Sequence, residues 1–349
     1  MSLKHSLRFG VVVIAGAAAA FAVSASAGAQ LITGPTGPKA THIAYMSKAD
    51  GEADIYSMTA DGFAVTNLTH DKAVGLRADS EPAWSPDGHW VAFQRTNTKA
   101  PGTRLFLVRS DGSSLHALAP SSSLAASDMH PNWAPDGRSI VFSSNRTGHF
   151  ELYSLQVATG PVSQWTGAKA TQLTFTKPGV DNLEPAWAPD GKSIAFVRHE
   201  WSAFGKIPSY PTDSIYVLVL SSSTSHQTYR VTDPAVGKSD CQPSWSGDSN
   251  RLAFESNRVG TEDVYVVDRK GDGLQRITPL KSNEFHPSWA SLGSQLVLVS
   301  DRTGATEIYT LAVPVLSSGT APAMKQLTFD KAPKANPVME RTTFLGPGS

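Results

Sequence analysis

The chain has 349 residues, with 30 basic and 30 acidic side chains and a single cysteine. The balanced charge excludes nucleic-acid binding of the usual electrostatic kind, which needs clustered positive charge to meet phosphates. Cys241 stands alone, so no intramolecular disulfide can form, and a chain this long must hold its fold by a hydrophobic core.

In chain order, residues 1–27 read as a signal peptide. Lys4 and Arg8 precede the short apolar run "VVVIAGAAAAFAV", and "ASA" at Ala25–Ala27 offers small residues for cleavage. The run is short for a membrane span of about 20 residues, and no later run approaches that length, so no span is expected after cleavage. Without Lys4 and Arg8 the chain keeps 28 basic against 30 acidic side chains. Residues 28–40 read as a linker, and the expected location is the periplasm or the exterior.

From Thr41 onward the sequence repeats. "DSEPAWSPDG" at Asp79 returns as "DMHPNWAPDG" at Asp128 and "DNLEPAWAPDG" at Asp181. "DCQPSWSGDS" follows at Asp240 and "EFHPSWASLG" at Glu284. Trp84, Trp133, Trp187, Trp245 and Trp289 are spaced about 51 residues apart on average. After each phrase comes a short apolar strand ("WVAFQR", "SIVFSS", "SIAFVR", "RLAFES", "QLVLVS"). A turn such as "SNRTG" leads to a third strand ("RLFLVR", "ELYSLQ", "SIYVLV", "DVYVVD", "EIYTLA"), and a short fourth ends most often in "LT", "VT" or "IT". Period-two alternation bounded by Gly, Pro, Asn and Asp is a strand signal, and the 3.6-residue period of a long helix is absent here. In "SPDG", Pro86 presets φ, Asp87 tolerates the second corner and Gly88 takes φ > 0, which makes a hairpin. "ADG" at Ala60 and "SDG" at Ser110 read as hairpins between strands three and four. These Asp-Gly pairs lack the dense carboxylate spacing of a calcium loop.

Four antiparallel strands per unit describe a β-propeller blade. The fold class is therefore all-β. Five equivalent tryptophans read as the side chains that pack blade on blade, with carbohydrate stacking as the other use for exposed rings. The N-terminal fragment "THIAYMS…LT" supplies strands two to four without a first strand. The C-terminal "KANPVMERTTF" supplies a degenerate first strand. A six-bladed propeller over 41–345 follows, closed by pairing of the last strand with the first blade. The blades are expected at about 41–70 plus 334–345, 79–120, 128–175, 181–233, 240–279 and 283–329.

The wording "D…P.WSPDG…IAF.SNR.G…IY……LT" resembles the TolB-type β-propeller repeat, a relative of the WD-type repeat, from about Thr41 to Phe344. The resemblance implies an envelope protein, probing no substrate but binding a protein or peptide partner. The α/β domain that precedes the propeller in TolB is not expected in the short stretch before Thr41. Similar propellers precede the hydrolase domain of prolyl-oligopeptidase-type peptidases, but no Gly-x-Ser-x-Gly elbow occurs. His199-Glu200 lacks the second His of a zincin, and Cys241 reads as a small buried hydrophobe.

One polar constellation comes from the repeat itself. The residues before each Pro are Glu81, His130, Glu184, Gln242, His286 and Asn336. If each starts the innermost strand, all six circle one mouth of the channel. There they either cap strand ends and meet channel water, or form a ligand site. Two His and two Glu are ligand types suited to zinc or manganese, so His130 and His286 are the candidate ligands of a divalent metal. Oligogalacturonate lyase, which is similar in its repeats, implies a channel metal held by His and Gln and a metal-dependent polysaccharide lyase or hydrolase as the alternative function. The same face is expected to carry the loop His199–Asp213. Its Trp201, Phe204 and Tyr210 are either partner anchors or rings buried on their own blade. The favoured reading is a monomeric, non-catalytic scaffold with no obligatory cofactor.

Overall fold

The computed structural model describes residues 42–70, 77–97, 102–118, 126–157, 169–201, 211–220, 226–279, 281–290, 294–313 and 323–340. The signal-peptide and linker expectations lie outside these residues. The first blade contains β1 (His42–Ser47), β2 (Asp54–Thr59) and β3 (Thr66–Asn67). The second has β4 (Arg77–Trp84), β5 (Trp90–Asn97), β6 (Thr103–Arg109) and β7 (His116–Ala117). The third has β8 (Asp128–Trp133), β9 (Ser139–Ser144), β10 (Glu151–Gln156) and β11 (Ala170–Gln172). The fourth has β12 (Val180–Trp187), β13 (Ser193–Trp201), β14 (Pro211–Val219) and β15 (Gln227–Arg230). The fifth has β16 (Asp240–Trp245), β17 (Arg251–Ser256), β18 (Asp263–Asp268) and β19 (Gln275–Arg276). The sixth has β20 (Glu284–Trp289), β21 (Gln295–Ser300), β22 (Glu307–Ala312) and β23 (Met324–Gln326). The last strand, β24 (Lys334–Met339), joins the first sheet in the order β24-β1-β2-β3.

Six four-stranded antiparallel sheets thus stand in a ring, sealed by the C-terminal strand, and no helix occurs among the described residues. Closure is finished by Glu340. Its amide N–H donates to the His42 carbonyl at 2.8 Å, and its carboxylate accepts from the His42 amide at 3.2 Å. At Lys334, where other first strands begin with an acid or Val or Arg, the buried ammonium pairs with Glu307 of the sixth blade at 3.2 Å.

Each of the six hydrophobic clusters straddles two adjacent blades, so the core is six radial seams. The seams are built from a large residue meeting a small one. Trp133 packs with Ala83 and Ala92, Trp245 with Ala186 and Ala195, Trp289 with Ala253, and Trp84 with Ala44. The second-strand wording "AF" therefore has two addressees. Phe faces one neighbouring blade, and Ala leaves room for the tryptophan of the other. Trp245 also donates its indole N–H to the Ala186 carbonyl at 3.1 Å. Two seams depart together from this scheme. Where Val141 replaces the Ala, Trp187 is only half-buried, and where Val297 replaces it, Met339 stands in place of the Trp.

The fourth-strand threonines have a fixed task. Thr69, Thr174, Thr232, Thr278 and Thr328 each accept the amide of an early third-strand residue at 2.8–3.0 Å. In the hairpin after β4, Ser85 Oγ accepts the Trp90 amide at 2.9 Å and donates to Asp87 at 2.5 Å. Gly88 sits there at φ 69° beside the Glu340 carboxylate, where a Cβ would collide with it.

A candidate ligand cavity on the propeller axis

All six pre-proline residues line one cavity of about 160 Å³, together with the prolines that follow them and Trp84, Trp133 and Trp187. They do not start their strands. Glu81 is the fifth residue of β4 and His130 the third of β8, and each stands at a break in strand register. The same break occurs in β12, β16, β20 and β24. The six φ values lie between 51° and 54°, the left-handed region that non-glycine residues rarely adopt. The physical reason is the proline. An inner strand cannot seat Pro in a regular ladder, since the ring removes a donor, so the chain makes a bulge and re-aims the preceding side chain toward the axis.

The bulge frees the pre-proline amide, and the preceding blade takes it. The His130 amide donates to Gln94 Oε1 at 3.0 Å, the Gln242 amide to Glu184 Oε2 at 2.7 Å, and the His286 amide to Glu255 Oε2 at 2.7 Å. The Asn336 amide donates to His286 Nδ1 at 3.4 Å. Asn336 Nδ2 in turn donates to Glu81 Oε1 at 2.7 Å, across the closure of the ring. One layer further along, Asn132 Oδ1 accepts the Trp187 amide at 2.8 Å and Ser244 Oγ accepts the Trp289 amide at 3.0 Å.

Burial, then the nearby Glu184 and Glu255 carboxylates, pushes the Glu81 carboxyl up to about 8. Burial pushes Glu184 and Glu255 up to about 7. The same desolvation lowers His130 and His286 to about 4, which leaves both imidazoles neutral. The floor is therefore a set of carboxyls poised near neutrality beside uncharged rings. Glu255 and Gln94 were not among the sequence candidates, because they sit one strand out. Their signal is a polar residue directly after Ala-Phe, where the fourth and sixth blades carry Val197 and Val299.

The cavity and the strand ends that the long loop connects lie at opposite ends of the blades. The cavity is lined from the bulge onward to Pro86, Pro135 and Pro189 in the first-to-second-strand turns. The loop instead joins Trp201 of β13 to Pro211 of β14, at the end where β12 begins, since Val180 pairs with Glu200. The expectation of one shared face is corrected accordingly. The bulge places the ring near mid-strand, and the cavity opens from it toward the first-to-second-strand turns, away from the ends that Trp201 and Pro211 mark. The side chains of Trp201, Phe204 and Tyr210 lie outside the described residues. At the base of that loop His199 Nδ1 meets Asp213 at 2.5 Å, and Asp213 accepts from Ser239 at 2.6 Å. Cys241 is half-buried 3.9 Å from the same carboxylate, and burial pushes its thiol pKa up, away from reactivity.

Among the described residues, the acid and histidine donors that converge to within 4.8 Å in a group of three are Asp50, Asp54 and His70, at the periphery of the first blade. His130 and His286 are not in that group. Both aspartates in it are already engaged, Asp50 by Tyr56 and Asn67, and Asp54 by Asn67 and Arg77.

The sequence comparisons point to the TolB propeller. The family model described as the TolB beta propeller domain matches residues 82–231 and 183–342. An uncharacterized protein of Agrobacterium fabrum, Atu1656, is 32% identical over 46% of this chain and 53% of its own length. A Tol-Pal system protein TolB of Francisella tularensis subsp. mediasiatica is 27% identical over 66% of this chain and 47% of its own. The chain thus spans about half the length of these relatives. The crystal structure of TolB from Acinetobacter baumannii superposes with a TM-score of 0.63 at 17% identity, covering 86% of this chain and 67% of that one, a likeness of fold. With both halves of the ring matched by the one model, this chain belongs to the TolB beta propeller domain family.

Proposed function

We propose that the protein is an exported, non-catalytic scaffold of the bacterial envelope that binds a protein or peptide partner at the axial cavity. The observation that carries this reading is the cavity itself: a concavity on a closed ring, with prolines and three tryptophans on its wall and a few convergent polar groups on its floor. Binding sites for flexible ligands have this composition, and aromatic walls supply anchoring area at low entropic cost. Similarity to Tol-Pal system proteins supports the envelope location and a protein partner, and the N-terminal layout of charge and apolar run supports export. The floor's histidines and serine do not support a serine–histidine type of catalysis. Imidazoles with pKa values near 4 are weak bases at neutral pH, and Ser244 is occupied as an acceptor within the ring.

The test is affinity capture from envelope extract, comparing the full chain with Val338→Trp, which fills the cavity from β24. Capture of a defined protein by the unaltered chain, reduced at least about tenfold in a variant of unchanged melting temperature, is expected. That loss corresponds to about 1.4 kcal/mol of binding. Equal capture by both, or by neither, overturns the reading.

A further inference from the structure

The cavity has an asymmetry of charge. Its lining includes Glu81 and Glu184, and Glu255 stands directly behind at the His286 amide, yet among the described residues no lysine or arginine lines it. None of these three carboxyls is in an ion pair with Lys or Arg among the described residues. Each holds only neutral donors: Asn336 Nδ2 on Glu81, the Gln242 amide on Glu184, and the His286 amide on Glu255. Elsewhere several buried acids are neutralised by cations, although the buried Glu151 is held by Thr174, Thr176 and Asn182. Asp79 has Arg95 and Arg77, Asp128 has Arg146, Asp240 has Arg258, and Glu307 has Lys334. The axial acids Glu81 and Glu184 differ in lining an open cavity without a cation, which leaves room for one from outside.

The form of that cation follows from the wall. Above the carboxyl floor stand the six prolines and Trp84, Trp133 and Trp187, an apolar collar around a polar base. A long side chain with an apolar stem and a charged tip matches both layers, the stem against the collar and the tip on the carboxylates. A cavity of this size admits a group as large as benzene. A bare divalent metal is served poorly, because the histidines here are not in the group of donors that converges within 4.8 Å.

Resting on the reading of the cavity as a peptide site, we propose that its floor is a selective receptor for one organic cation: the ammonium or guanidinium of a lysine or arginine on the bound partner. The groups that face it are Glu81 and Glu184 with the neutral His130 and His286, while Glu255 stands behind the floor and Asp213 acts on Glu184 from behind. The raised carboxyl pKa values set the sign of the pH dependence. At pH 6 the empty floor is largely protonated, and a bound cation favours the ionised form, so binding releases protons. Affinity therefore rises from about pH 6 to about pH 8.5, where the carboxyls of the free protein are already ionised.

The test titrates the full chain with n-butylammonium, butan-1-ol and manganese chloride, followed on the indole N–H resonances of the tryptophans. Glu81→Gln with Glu184→Gln is the variant, since Gln keeps one acceptor oxygen and the shape of the side chain while removing its charge. The inference expects n-butylammonium to perturb the cavity indoles and butan-1-ol to bind at least about tenfold more weakly. It also expects the ammonium affinity to rise about tenfold or more between pH 6 and pH 8.5, and the double variant to lose both the preference and the pH slope. The pH profile of the unaltered chain stands even if the variant misfolds. Equal binding of the alcohol, a flat pH profile, or binding of manganese without the ammonium overturns the inference. Envelope capture that survives undiminished in the double variant overturns it too, while leaving the peptide-scaffold reading in place.

Discussion

At single positions, the seams between blades obey a volume rule. A tryptophan is seated where the facing second strand offers Ala, and it rises or disappears where that strand offers Val. Interiors are close-packed, so a difference of two methyl groups is felt. Met339→Trp alone therefore meets Val297 and is expected to destabilise by about 1–3 kcal/mol through overpacking. Combined with Val297→Ala, which recreates the hole found at Ala253, the penalty is expected to shrink, with a coupling of at least about 1 kcal/mol in urea denaturation. Additive losses would show that the pair does not share its volume. The left-handed pre-proline residues are the other decisive detail, since each aims a polar side chain at the axis.

At the level of one blade, an acid early in the first strand meets an arginine from the end of the second strand or its turn, and the guanidinium lies over a third-strand aromatic ring. Arg258 chelates Asp240 with two contacts of 2.7 Å and sits 4.8 Å from the Tyr265 centroid; Arg146 and Tyr153 repeat this at 4.6 Å. In the fourth blade the neutral Asn182 takes the acid's place, accepting from Arg198 Nε at 3.2 Å. The arginine of "SNR.G" thus clips three strands together besides belonging to a turn. Removing it from a charged clip strands a buried carboxylate, so Arg258→Met is expected to cost about 3–5 kcal/mol. Asp240→Asn, which imitates the fourth blade, is expected to cost well under half of that, with both read as shifts in the urea midpoint. Equal costs would mean that the charge pairing carries the whole clip and that the stacking of Arg on Tyr adds nothing.

For the whole molecule, stability depends on joining the two ends. Truncation at Asp330 removes β24, and with it Met339 in the seam, the Lys334–Glu307 pair and the Glu340–His42 bonds. It also exposes the edge of β1 and leaves the axial cavity open on the side of Asn336. The melting temperature is expected to fall by more than about 10 °C in thermal denaturation, since a loss of several kcal/mol moves a domain of this size that far. A fall of only a degree or two would mean that five complete blades hold the ring unaided. The closure also explains why Asn336, in a phrase that has lost its tryptophan, still stands with the other five at the axis.

The sequence by itself determined the number of sheets, their strand order and the swap at the ends, because these follow from local period and from counting which strand each fragment lacks. It also singled out the six pre-proline residues, since a polar residue before Pro in an otherwise apolar phrase repeats visibly. Only the tertiary structure decided where they stand. The register break that puts Glu81 and its equivalents near mid-strand, aimed at the axis, is a response of the backbone to proline in an inner strand, and one residue of slip changes which face a side chain serves. Glu255 and Gln94 enter the site through a neighbouring blade, and the carboxyl pKa values through shared burial. Both arise from contacts between residues tens of positions apart, which local pattern does not encode.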